Sequence, residues 1–121
     1  MSHRVLIVDD EPNIVISLEY LLKKEGFDIC VATDGEAALR LAAEFRPDLV
    51  LLDVMMPKKS GFEVCEALRA DVSLADLKII MLTAKGRETE ITKGLALGAN
   101  SYITKPFSTK DLVVQIKNLL A

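Results

Sequence analysis

The chain of 121 residues is 50% hydrophobic and 27% charged, with 4 Pro and 6 Gly, a composition that fits one globular core and excludes a disordered tail. Fifteen Lys and Arg against eighteen Asp and Glu give a formal net charge of −3 with no basic cluster, which argues against nucleic acid or an anionic membrane as direct partner. No apolar run approaches the ~18–20 residues that span a bilayer and no signal-peptide pattern opens the chain, so one cytoplasmic domain over residues 1–121, without an output domain, is expected.

The first strand, Arg4–Val8, runs into three consecutive acids, Asp9-Asp10-Glu11. Pro12 suits the first position of a helix that repeats Ile14, Leu18, Leu21 and Leu22 before Gly26 stops it. A second strand, Asp28–Ala32, leads to Asp34 as cap of a helix from about Gly35 to Phe45, with Ala38, Leu41, Ala42 and Phe45 on one face and Arg46-Pro47 ending it. The third strand, Leu49–Leu52, is apolar on both faces and ends at Asp53. Ser60-Gly61-Phe62-Glu63 has capping-box spacing and opens a helix carrying Phe62, Cys65 and Leu68 inward. The fourth strand, Lys78–Leu82, ends at Thr83, and a helix from about Arg87 to Leu97 follows, with Ile91 and Leu95 inward and Gly98 as its stop. The fifth strand, Ser101–Thr104, meets Lys105-Pro106, and Ser108 opens a last helix with Leu112, Ile116 and Leu119 in register. Cys30 and Cys65 lack metal-ligand spacing and read as small core hydrophobes, and His3 stands alone near the N-terminus.

Alternating βα units make a doubly wound parallel sheet, with the first, third and fourth strands central, and ligands on such sheets bind beyond the carboxyl ends of the strands. Taken singly, the residues there have plain explanations. The acids after the first strand can be a solvated, helix-capping loop, Thr83 a loop hydroxyl, and Lys105 a solubilising charge. Asp53 is harder to explain, because a carboxylate inside an apolar run costs desolvation energy unless something compensates it. Together, Asp10, Asp53 and Lys105 at three strand ends point to a shared site. Converging carboxylates repel one another unless a divalent cation neutralises them, and an all-oxygen set indicates Mg²⁺, with Mn²⁺ possible. A cation, a lysine and a hydroxyl around a carboxylate suit the handling of a transferring phosphoryl group, with Asp53 the candidate nucleophile.

The set Val8-Asp9-Asp10-Glu11-Pro12, Leu52-Asp53-Val54-Met55-Met56-Pro57 with Gly61, Leu82-Thr83-Ala84 and Tyr102-Ile103-Thr104-Lys105-Pro106-Phe107 resembles, in order and over the whole chain, the receiver domain of two-component response regulators. The resemblance implies a flavodoxin-like α/β fold, (βα)5 with sheet order 2-1-3-4-5, and a phosphorylation-controlled switch that catalyses only its own phosphorylation and dephosphorylation. It implies that Asp53 accepts a phosphoryl group from a sensor histidine kinase or phosphotransfer protein. Asp10, Asp53 and the backbone carbonyl of Met55 would hold Mg²⁺, with Asp9 acting through water. Lys105 would pair with the phosphoryl oxygens after a cis peptide to Pro106. Thr83 would donate its hydroxyl and, with Tyr102, relay the change to a downstream effector protein. Met55 and Lys85 would be the residues placed to orient a hydrolytic water, and neither side chain suits the task. Where the DNA-binding branch tends to carry two acids and an arginine that pair across a dimer, this chain has Asn100, Ser101 and Gln115, which favours a stand-alone or kinase-associated receiver, monomeric or weakly dimerising on phosphorylation. The alternatives are a degenerate receiver acting as a phosphorylation-independent interaction module and an aspartyl-phosphate phosphatase. An FMN binder of the same architecture is disfavoured because three acids would repel its phosphate.

Overall fold

The computed structural model describes residues 3–56, 59–84 and 86–121. Strands β1 (Arg4–Val8), β2 (Asp28–Ala32), β3 (Leu49–Asp53), β4 (Lys78–Ala84) and β5 (Ser101–Lys105) form one parallel sheet in the order β2-β1-β3-β4-β5. Helices α1 (Pro12–Lys24), α2 (Gly35–Phe45), α3 (Gly61–Ala70) and α4 (Glu88–Ala96) make the crossovers, and α5 (Thr109–Leu120) follows the last strand. This is the flavodoxin-like doubly wound order expected from the sequence.

The local signals act as their chemistry dictates. Pro12 opens α1, the Asp34 carboxylate accepts from Ala37 N–H at the start of α2, and Ser60 and Glu63 form a reciprocal capping box on α3. Arg46, at φ 55, ends α2 in the left-handed conformation immediately before Pro47.

Alternation along the central strands divides the core in two. Val5, Ile7, Leu49, Leu51, Ile80 and Leu82 pack against Leu18 and Leu22 of α1 and Leu112 and Ile116 of α5. Leu6, Val8, Val50, Leu52, Ile79 and Met81 face the other way, onto Ala38 and Ala42 of α2 and Val64, Cys65 and Leu68 of α3. Both layers are sealed from water, so the sheet is a fixed platform whose carboxyl edge is left for chemistry.

Three details differ from the sequence reading. β3, β4 and β5 run on past the expected ends Leu52, Leu82 and Thr104 to Asp53, Ala84 and Lys105, because the ladder continues in register, Asp53 opposite Leu82 and Ala84 opposite Lys105. Leu95, expected inward, is 43% exposed; Gly94 is the buried residue of α4, a Cβ on it would stand 3.1 Å from Met81 Cγ, and this close approach tips Leu95 outward. A short 3-10 turn at Val72–Leu74, capped by Asp71 accepting from Ser73 N–H, was not expected. Pro57 and Lys85, both singled out by the sequence, lie outside the described residues.

Arg69 of α3 donates to the carbonyls of Leu77 (2.6 Å) and Gly98 (2.9 Å) and to Asn100 Oδ1 (2.7 Å). Asn100 in turn exchanges two 2.8 Å hydrogen bonds with the backbone of Ile79, fastening the amino end of β5 to β4. Among the described residues no helix is long and apolar enough to cross a membrane.

Candidate functional site

Asp9 follows β1 directly, and its N–H still bonds to Ala32 O at 3.1 Å, so the ladder carries the residue down into the protein. Its side chain is fully buried, and Oδ1 accepts from Glu11 N–H at 2.9 Å, which turns Asp10 and Glu11 outward to the cleft. Asp53, the last residue of β3, is 6% exposed. Carboxylate oxygens of Asp9, Asp10 and Asp53 all come within 4.8 Å of one another. Lys105 closes the group: its Nζ lies 2.8 Å from Asp9 Oδ2, 3.0 Å from Glu11 Oε1 and 3.3 Å from Asp53 Oδ1. The Lys105-Pro106 peptide is cis, as the sequence resemblance implied.

Among the described residues the charges at the centre of the site do not balance, since the Lys105 ammonium is shared by three carboxylates and Asp10 stands beside them. Burial, reinforced by the negative charge of Asp9, pushes the Asp53 carboxyl up to about 6, although Lys105 and the Met55 N–H pull the other way. Burial also works against the charge on Lys105, but its contacts with Asp9, Glu11 and Asp53 outweigh it and hold the ammonium above its ordinary range. The unmet need is therefore for more positive charge among hard oxygen donors, which is what a small divalent cation offers. Asp9, Asp10 and Asp53 fit such an ion in number, donor type and spacing.

Thr83 is 1% exposed, and its Oγ1 is buried with no hydrogen-bond partner among the described residues. A buried hydroxyl left unpaired costs stability, so at this strand end Thr83 offers a donor not engaged by the described residues. Tyr102, two register positions behind on β5 and opposite Met81, is 41% exposed and borders the groove between α4 and β5. Met55 stands at the cleft wall and is 69% exposed.

The cleft encloses about 120 Å³ above Asp53 and Val54 and is walled by Glu11, Met55, Arg87, Glu90 and Lys105. The described site residues expected from the sequence are at or beside this edge of the sheet, with Tyr102 on its outer side. Three residues were missed in these positions. Glu11 is a direct partner of Lys105, and Arg87 and Glu90, spaced i,i+3 at the start of α4 just after the Thr83 strand end, line the cleft.

A family model described as the response regulator receiver domain matches residues 5–117. Among solved structures, a protein of Chloroflexus aurantiacus J-10-fl assigned as a response regulator is 36% identical, with TM-score 0.96, the match covering 99% of this chain and 98% of the other. A chemotaxis response regulator of Vibrio cholerae is 31% identical at TM-score 0.92, covering 98% of this chain and 99% of that one. The receiver domain of a signal transduction histidine kinase from Syntrophus aciditrophicus is 31% identical at TM-score 0.91, covering 98% and 90%.

Proposed function

Because the chain belongs to the response regulator receiver domain family and is a receiver of two-component signalling, we propose that it is a phosphorylation-controlled switch whose acceptor is Asp53. The observation that supports this most directly is the pairing of a buried strand-end carboxylate with Lys105 at 3.3 Å, inside a cluster of acids that one lysine cannot neutralise.

In this reading a phosphohistidine on a sensor kinase or phosphotransfer protein enters the cleft, and an Asp53 carboxylate oxygen attacks phosphorus in line with the leaving nitrogen. The new O–P bond forms as the P–N bond breaks, and the electron pair departs on the imidazole. Lys105 shifts its contact from Glu11 to a phosphoryl oxygen, and the unpaired Thr83 hydroxyl donates to another. Asp10, Asp53 and the Met55 carbonyl would hold Mg²⁺, or Mn²⁺ in its place, with Asp9 acting through a water. Such an ion, when bound, neutralises charge on the transferring oxygens. Thr83 and Tyr102 then alter the face offered to a downstream effector protein. The domain is proposed to act as a single unit, monomeric or weakly dimerising on phosphorylation, without direct contact to nucleic acid.

The test is incubation with Mg²⁺ and acetyl phosphate followed by intact mass spectrometry. Gain of one base-labile phosphoryl group in the wild type, absent in Asp53→Asn, is the expected result; equal incorporation in both proteins overturns the assignment.

A further inference from the structure

At the mouth of the acidic cleft stands one guanidinium that the reaction above does not use. Arg87 precedes the first turn of α4 and lines the same cleft as Asp53, Met55 and Lys105. Its side chain is 60% exposed, makes no capping hydrogen bond, and reaches Glu90 only at 3.8 Å, while Glu90 itself is 17% exposed. A separation of that length lies beyond a hydrogen-bonded pair, so Glu90 keeps the guanidinium at the rim without fixing it. The remaining charged groups on the wall, among the described residues, are the acids Glu11, Asp53 and Glu90, and Lys105, which is already engaged by three carboxylates. Among the described residues of the wall, Arg87 is therefore the cation not already held by carboxylates at hydrogen-bond distance, and its planar fork matches phosphate oxygens.

We propose that Arg87 is the residue that binds the phosphodonor: it leaves Glu90, takes the non-bridging oxygens of a dianionic acyl phosphate, delivers it to Asp53, and so favours doubly charged small donors over singly charged ones. This rests on Asp53 being the acceptor. The transfer needs no proton: the Asp53 oxygen–phosphorus bond forms, the acyl oxygen–phosphorus bond breaks, and the electron pair leaves on the carboxylate product.

The experiment measures the rate of phosphoryl gain by the intact chain in Mg²⁺ with two probes, acetyl phosphate and phosphoramidate, the latter carrying one charge fewer near neutral pH. Arg87→Ala is expected to slow labelling by acetyl phosphate roughly three- to tenfold at low ionic strength, with the gap closing as salt is raised towards 0.5 M, because the interaction is screened. The phosphoramidate rate should fall less than twofold. Arg87→Lys should recover part of the loss, and Glu90→Gln, which unties Arg87, should speed acetyl phosphate labelling above wild type. An Arg87→Ala protein as fast as wild type, or slowed equally with both donors at every salt concentration, overturns the proposal. If Arg87→Ala loses its helical circular dichroism, Glu90→Gln decides, and an unchanged rate overturns it. Wild type that gains no phosphoryl group at all removes the Asp53 reading and this one together, whereas labelled wild type with an indifferent Arg87 removes this one alone.

Discussion

Asp53 is held in a conflict between burial and charge. Its carboxyl, pushed up to about 6 chiefly by burial, binds a proton more tightly folded than unfolded, so the fold is favoured when it is neutral. Stability should consequently fall as pH rises from about 4 through about 6 in metal-free buffer. In urea titrations at pH 7.5, Asp53→Asn is expected to be more stable than wild type by roughly 1–3 kcal/mol, with the difference shrinking at pH 5 and again on adding Mg²⁺. Met55 carries a second prediction at this scale. Its exposed thioether is a poor acceptor, so it cannot hold an attacking water, and the acyl phosphate should persist for many minutes. Met55→Asn should shorten that lifetime several-fold in an intact-mass time course; a wild-type adduct lost within seconds contradicts the assignment. The acids, Thr83 and Lys105 were legible because polar residues at the ends of apolar strands are conspicuous. Glu11 as the partner of Lys105 was not, since the two are 94 positions apart and only the β1 and β5 strand ends bring them together.

Among the elements, α3 and α4 both approach the sheet through glycine, with different tolerances. A Cβ on Gly61 would collide with the Asp53 carbonyl oxygen and stand 2.9 Å from Val54 Cα, and neither backbone atom can swing aside. A Cβ on Gly94 would meet the Met81 side chain at 3.1 Å, which a methionine can accommodate. Thermal denaturation should therefore separate the two variants. Gly61→Ala is expected to cost roughly 2–4 kcal/mol and to weaken Mg²⁺ binding in calorimetry, and Gly94→Ala to change stability by less than about 1 kcal/mol, since alanine also favours the helix. The helices and strands themselves were readable from apolar periodicity and caps. The ends of β3, β4 and β5 were not, because a strand that continues through Asp53, Thr83 or Lys105 does so by inter-strand hydrogen bonding that periodicity does not report. Leu95 was misread for a similar reason, as a glycine's close approach has no hydrophobic signature.

For the molecule as a whole, a switch requires two arrangements of nearly equal energy. The unpaired Thr83 hydroxyl and the half-exposed Tyr102 ring are the parts suited to it. Spectra recorded with and without beryllofluoride and Mg²⁺ should show amide shifts at residues 87–97 and 101–104 in the wild type, and much smaller ones in Thr83→Ala, which should still bind the analogue. Full-sized shifts in both proteins would sink a relay through Thr83. The positions at which the sequence departs from a dimerising pattern are occupied internally, Asn100 by Arg69 and Ile79, and Ser101 by Gln115 at 2.7 Å. The same grip of Arg69 and Ile79 on Asn100 governs how β5 can respond. With its amino end clamped at Asn100 and its carboxyl end paired with β4 as far as Ala84 opposite Lys105, the strand is anchored at both ends, so a pull on Lys105 is expected to be answered by side chains such as Tyr102 turning about a backbone that stays in place.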